Sequence, residues 1–190
     1  MKTPCILAFG GSLRAGSYNQ KLVSIAARGA RGAGARVTLI RLRDFPLPLY
    51  DQDLEDAVGM PGNAARLKDL FAAHDGLLIA SPEYNSGITA ALKNAIDWVS
   101  RATSEDEPPL FALKGKTAAI LAASPGGYGG SRGLAQLRPL LGNIGITVLE
   151  EQVTVPRVHE VMDPAGELTD PALRASVMEL GASLARRLVV

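Results

Sequence analysis

Directly after the apolar run Cys5-Ile6-Leu7-Ala8, the chain reads Phe9-Gly10-Gly11-Ser12-Leu13-Arg14-Ala15-Gly16-Ser17-Tyr18-Asn19-Gln20. Hydroxyls at Ser12 and Ser17, the Asn19 amide and the Arg14 guanidinium are donors of the kind a phosphate monoester needs, because charge-assisted bonds to its oxygens are strong. Ser17-x-x-Gln20 has the form of a capping box, so a helix is predicted to open there. Its free first-turn N–H groups and positive end favour an anion at the same point. The competing reading is a tight turn whose Ser and Asn only cap the helix. Two other phosphate loops fail on spacing. From Gly11 the pattern G-x-x-x-x-G reaches Gly16, but Ser17 stands where a nucleotide-hydrolysing loop needs lysine. Gly10, Gly11 and Gly16 also lack the G-x-G-x-x-G spacing that lets a backbone approach a pyrophosphate. A single terminal phosphate suits the loop better.

A second cluster, Ser81-Pro82-Glu83-Tyr84-Asn85-Ser86-Gly87, offers an aromatic face at Tyr84, and its backbone groups could bond heteroatoms on a ring edge. A structured turn with Tyr84 packed on the sheet end is the alternative. The third, Ser124-Pro125-Gly126-Gly127-Tyr128-Gly129-Gly130, is glycine-dense enough for backbone to pass close to a ligand. Gly129-Gly130-Ser131-Arg132-Gly133 matches the nucleophile-elbow pattern. However, several glycines intervene after the strand, and His159 precedes Asp163 and Asp170, which argues against a serine hydrolase.

The elements that must position these loops alternate between apolar runs and helix-periodic segments. After Cys5–Ala8, strands are predicted at Arg36–Ile40, Gly76–Ala80, Thr117–Leu121 and Thr147–Val153. Helices are predicted from Asn19 to about Arg31, Pro61 to Ala73, Thr89 to Ser100, Ser131 to Ile144 and Pro171 to Leu188, with a kink or early break at Pro139. The proline-rich segment Phe45–Asp51 reads as irregular. Such alternation implies right-handed crossovers and a doubly wound α/β domain, whose ligand lies beyond the carboxyl ends of its strands. All three unusual loops follow predicted strands.

With 190 residues, 47% of them hydrophobic, the chain can bury one sizeable core, and one domain over residues 1–190 is expected. Its 20 basic and 19 acidic residues leave a net charge of +1, so nothing asks for nucleic acid. The local cluster Arg28, Arg31, Arg36, Arg41 and Arg43 reads as a solvated face. Cys5 stands alone, and His74 and His159 have no partners at ligand spacing, so neither a disulfide nor a transition-metal site is expected. The apolar run after Met1-Lys2-Thr3-Pro4 is too short for a secretory signal, and no stretch approaches membrane-spanning length; a cytoplasmic protein without a membrane partner is expected.

Together the three loops resemble the NADPH-dependent FMN reductase family, flavodoxin-like enzymes that include quinone and chromate reductases. Gly11-Ser12-Leu13-Arg14-x-Gly16-Ser17-x-Asn19 is similar to the family's phosphate loop. Pro82-Glu83-Tyr84-Asn85, followed by Leu92-Lys93-Asn94-Ala95-Ile96-Asp97-Trp98, is similar to its second signature, and Ser124 with the following glycines to its third loop. The similarity covers essentially the whole chain. It implies a flavodoxin-like, doubly wound five-stranded parallel sheet in the order 2-1-3-4-5, with helices on both faces. It also implies bound FMN, NADPH as electron donor, a small-molecule electron acceptor, and a homodimer or homotetramer with the flavin near a subunit boundary. For the last, Trp98 and Pro46–Tyr50 are candidate exposed apolar surface. Residue by residue, the resemblance implies that Ser12, Arg14, Ser17 and Asn19 hold the phosphate, with Tyr18 in the same loop. Pro82, Glu83, Tyr84, Asn85 and Gly87 would border the isoalloxazine, and Ser124, Gly126 and Gly127 would close its other side. The family often carries an aromatic or histidine and then a proline where this chain has Ser86, Gly87 and Thr89. No acid–base residue is singled out, because the flavin carries the redox chemistry. Arg132 is a candidate for the NADPH phosphate or a subunit contact, against the plainer reading of an exposed first-turn arginine. A flavodoxin-type electron carrier is the rival, although such carriers rely on an acidic face that a net charge of +1 does not suggest. A regulatory module without turnover is a third reading.

Overall fold

The structure is a computed structural model, described over residues 2–189. Five parallel strands, β1 (Cys5–Gly10), β2 (Arg36–Arg41), β3 (Gly76–Ala80), β4 (Thr117–Ala123) and β5 (Thr147–Val155), form one sheet in the order β2-β1-β3-β4-β5. The order is the expected one. The continuous apolar runs of β1, β3 and β4 fill the middle of the sheet, where both faces are covered. The more polar β2 and β5 take the edges, and β2 carries Arg36 and Arg41, charges that discourage edge-to-edge pairing. Gly10 of β1 pairs with Ala80 of β3, which pairs with Leu121 of β4, so the three candidate loops leave one end of the sheet.

Helices α1 (Tyr18–Gly32), α2 (Gln52–Val58), α3 (Gly62–Ala72), α4 (Ala90–Val99), α5 (Ser131–Asn143), α6 (Val158–Val161) and α7 (Pro171–Arg187) complete the fold. On one face, Leu22 and Ile25 of α1 and Val177 and Leu184 of α7 pack on Ile6, Ala8 and Leu78. On the other, Leu67 and Phe71 of α3, Leu92 of α4 and Leu137 of α5 pack on Leu7, Phe9 and Ile79. Both layers come from the alternation of side chains across each strand.

Three sequence expectations are corrected. First, α5 continues unbroken from Ser131 to Asn143 through Pro139. Leu134, Leu137 and Leu141 bury on both sides of the proline, and the Arg138 guanidinium donates to the carbonyls of Leu149 (2.7 Å) and Glu150 (3.2 Å) on β5, so tertiary contacts offset the lost backbone bond. Second, two short helices were not foreseen. No residue of α2 is buried, so it has no apolar periodicity to read, and α6 is a single turn. Third, Trp98 is fully buried and is no part of an exposed apolar surface. Its Nε1 donates to the Pro48 carbonyl (2.8 Å) and its ring meets Tyr50 edge-on at 5.1 Å, because the segment before α2 folds back over α4. Asn94, one turn earlier on α4, donates to the same carbonyl (2.8 Å) and accepts from Tyr50 N–H (2.8 Å).

Candidate functional site

The first loop is tied to its neighbours before any ligand is considered. Gly11 N–H donates to the Ala80 carbonyl (2.8 Å), and Ser12 N–H donates to the Gly10 carbonyl (2.8 Å). Ser17 caps α1 as expected, accepting from Gln20 N–H (3.2 Å). The reciprocal half of the capping box is absent among the described residues. Gln20 instead accepts from Gly10 N–H (3.0 Å) and donates to the Ile40 carbonyl (3.0 Å), stitching β1 to β2. Ser12 Oγ accepts from Arg14 N–H (3.2 Å), which leaves its own proton free. Asn19 is buried and spans to the end of β4: its amide donates to the Ala123 carbonyl (2.8 Å) and accepts from Ala123 N–H (2.9 Å). The Asn19 side chain is therefore a strut between the first and third loops. The N–H groups of Tyr18 and Asn19, in the first turn of α1, have no intrahelical partner. Arg14 is exposed and forms no ion pair among the described residues.

The second loop is a tight hairpin. Tyr84 and Gly87 exchange both backbone bonds at 3.0 Å, and Asn85 (φ 50°) and Ser86 (φ 64°) supply the two left-handed positions of a type I′ turn. The Asn85-Ser86 pair hid this turn from the sequence, since Asn-Gly is its usual signature. Gln136 of α5 donates to the Ser86 carbonyl (2.9 Å). Glu83 is half-buried, with its side chain 7% exposed, and accepts from Arg132 Nε (2.8 Å) and from Gly133 N–H (3.1 Å) at the start of α5. Burial pushes the Glu83 carboxyl up, but the Gly133 N–H, the Arg132 guanidinium and the Arg132 charge outweigh burial and hold it below the usual carboxylate range. The Arg132 guanidinium also lies over the Tyr128 ring, 4.4 Å from its centroid. Arg132 thus links the second loop to the third, and its charge is already paired.

In the third loop, Ser124 N–H donates to the Val155 carbonyl (3.1 Å) and Ser124 Oγ accepts from Gly126 N–H (3.1 Å). Gly129 (φ 61°) and Gly130 (φ 91°) are needed for packing: a Cβ on Gly130 would lie 2.6 Å from the Ala122 Cβ. Gly127 and Gly16 differ. Neither has a left-handed φ, and a Cβ on either would meet nothing within 4 Å. The fold does not require glycine there, whereas close approach of a ligand would.

These loops converge. Ser12, Arg14, Ser17, Tyr18, Asn19, Pro82, Glu83, Tyr84 and Ser124 line one cleft together with Pro125, which the sequence reading had not singled out for the site. Asn85, Gly87, Gly126 and Gly127 stand in the same two loops without lining that cleft. A second hollow beside it runs from Gly11–Arg14 and Tyr84 to Thr89, Ala90 and Ala91. The donor set fits a phosphate-bearing planar cofactor: hydroxyls, an unpaired guanidinium and helix N–H groups, with the exposed Tyr84 ring in the same cleft. His74 lies outside the site, bonded to the Leu70 carbonyl (2.6 Å) and the Thr38 hydroxyl (2.7 Å). Among the described residues no group of His, Cys, Asp and Glu could hold a metal, and no helix is long and apolar enough to cross a membrane.

Residues 4–160 match the profile of the NADPH-dependent FMN reductase family. The chain belongs to that family. An NAD(P)H-dependent FMN reductase of Pseudomonas aeruginosa is 37% identical over 176 residues, covering 92% of this chain and 89% of the relative. A quinone reductase of Escherichia coli is 34% identical over 162 residues, covering 84% and 82%. Among solved structures, a flavoenzyme NAD(P)H:(acceptor) oxidoreductase from Paracoccus denitrificans superposes with a TM-score of 0.78 at 27% identity, covering 98% of this chain and 97% of that one. As an FMN reductase family member, the protein is an oxidoreductase that uses FMN and NAD(P)H.

Proposed function

We propose that this protein carries two electrons from NADPH to a planar quinone-type acceptor, with FMN held where the three loops meet. The observation that carries the reading is the convergence of Arg14, Ser12, Ser17 and the first turn of α1 on the cleft that Tyr84 borders. When bound, FMN supplies hydride acceptance and two-electron delivery. The chain's own residues bind and orient. Ser12, Arg14, Ser17, Tyr18 and Asn19 hold the phosphate, the last two through first-turn N–H groups. Pro82, Glu83, Tyr84, Asn85 and Gly87 border the ring on one side, and Ser124, Gly126 and Gly127 on the other. The Glu83–Arg132 pair keeps the second loop fixed against α5.

The whole chain acts as one FMN-binding domain, in the cytoplasm, as a homodimer or homotetramer. Support for self-association comes from exposed apolar side chains, Leu13 in the first loop at 56% and Leu49 in the segment before α2 at 75% exposure. The quinone acceptor is argued from the Escherichia coli relative. A visible spectrum of the purified protein, followed by anaerobic NADPH and then a short-chain benzoquinone, tests the function. Flavin absorbance should be present, bleach with NADPH and return with quinone. A protein that takes up no FMN refutes the cofactor site, and one whose FMN neither NADPH nor NADH bleaches is an electron carrier.

A further inference from the structure

We infer that Thr89 is a positioning residue for the phosphate cradle, acting through the Gly11 carbonyl. The inference rests on the FMN reading above and adds a residue to it. Thr89 is the N-cap of α4, and its Oγ accepts from Leu92 N–H (3.1 Å). The same hydroxyl, only 3% exposed, donates its proton to the Gly11 carbonyl (2.6 Å). A hydroxyl has one proton and two acceptor positions, so both bonds coexist. The other end of the Gly11–Ser12 peptide is held too, because Ser12 N–H donates to the Gly10 carbonyl (2.8 Å).

That double restraint matters because of where it sits. Gly10 and Gly11 lack side chains, and glycine backbone reorients more freely than any other. If the Gly11–Ser12 peptide turned, its carbonyl dipole could face the place where Ser12, Arg14 and Ser17 gather, and a carbonyl oxygen facing a phosphate dianion repels it. The Thr89 hydroxyl commits that carbonyl to α4 instead. Packing helps little to choose the orientation: a Cβ on Gly11 would approach Leu92 at 3.1 Å, which seats the residue but does not fix which way its carbonyl points. The Thr89 bond does.

The test separates phosphate recognition from ordinary helix capping. FMN and riboflavin share the ring and differ in the phosphate, so the ratio of their dissociation constants for the apoprotein, measured by fluorescence titration, reports the cradle alone. Thr89→Val removes the hydroxyl and should cut the preference for FMN over riboflavin by about tenfold, while the riboflavin constant stays within about twofold. Thr89→Ser keeps the hydroxyl and should keep the wild-type ratio. A fall in melting temperature with an unchanged ratio in Thr89→Val would mean that Thr89 only caps α4, and the inference would be wrong. Equal weakening of both flavins would also overturn it. Should Thr89→Val fail to fold, Thr89→Pro carries the same measurement. A φ of −72° suits proline, and the Thr89 N–H has no protein acceptor among the described residues. Failure of the wild-type protein to bind FMN would refute the cofactor reading, whereas wild-type binding with unchanged ratios in the variants refutes only the role of Thr89.

Discussion

Arg14 and Arg132 both reach the site, and their surroundings assign them opposite tasks. Arg132 is paired with Glu83 and stacked on Tyr128, while Arg14 projects from the first loop with no carboxylate partner among the described residues. Arg14→Ala should therefore weaken FMN binding by about 1.5–3 kcal/mol, the range for a hydrogen bond to a charged group, and leave riboflavin affinity and melting temperature near wild type. Equal losses for FMN and riboflavin in a fluorescence titration would contradict the phosphate assignment. Glu83 makes a different prediction, about pH. Its folded-state carboxyl titrates below the unfolded one, so its contribution to stability is present above the unfolded value near 4.3 and is lost as pH falls through the folded value. Glu83→Gln should then unfold more readily than wild type at pH 7, by about 1.5–3 kcal/mol in urea titrations, with the gap closing below about pH 4. A gap that does not narrow as pH falls below about 4 would mean that packing, not charge, sets the effect. How much of the site could be read in the sequence follows from distance along the chain. Ser12, Arg14 and Ser17 could be read as one cluster because they lie within one loop and line one cleft. The partners of Asn19, Thr89 and Arg132 lie 104, 78 and 49 residues away, and no local pattern announces them.

Among the elements, the α1–α7 contact shows where propensity and packing disagree. Gly29 sits inside α1, where helix propensity alone favours alanine by about 1 kcal/mol. Yet a Cβ on Gly29 would lie 1.8 Å from the Met178 carbonyl oxygen, and one on Gly181 of α7 would lie 1.9 Å from the Ala26 carbonyl oxygen. Both obstacles are backbone, which cannot swing aside, so the helices would have to separate. Gly29→Ala should destabilise the protein by about 1–3 kcal/mol, visible as a lower urea midpoint, and a raised midpoint would show that the helices can part at little cost. The strands were legible because β1, β3 and β4 are unbroken apolar runs and only a buried position suits them. The long helices were legible from their buried stripes. Helix α2 was not, since it buries no stripe: Asp51 caps it locally (2.9 Å to Asp53 N–H), but its anchor is Glu55 accepting from Arg101 Nε (2.8 Å), a contact set by the tertiary fold. Pro139 misled for a related reason: what keeps α5 continuous is Arg138 reaching across to β5.

For the whole molecule, the decisive question is whether NADPH and acceptor can occupy the site together. The slot is bordered by Tyr84 on the second loop and by Ser124 and Pro125 on the third. Those loops are cross-linked by Arg132, which bonds Glu83 on one and stacks on Tyr128 of the other, so the slot has little freedom to widen. Self-association would narrow it further, since Leu13 and Tyr84 are exposed at its rim; light scattering at micromolar concentration should give a mass above one 19.9 kDa chain, and a monomer that still turns over would dismiss the oligomer while leaving the cofactor site untouched. A slot fixed in this way is expected to admit one planar partner at a time. The oxidised nicotinamide must then leave before a quinone enters, and double-reciprocal plots of rate against NADPH at several fixed quinone concentrations should be parallel. High quinone should also inhibit competitively with NADPH, because both seek the same place. Arg132→Met, which frees the second loop from Tyr128, should loosen this exclusion and turn the parallel lines towards intersecting ones. Intersecting lines already in the wild-type protein would mean that both partners bind at once, and the single shared slot would have to be given up.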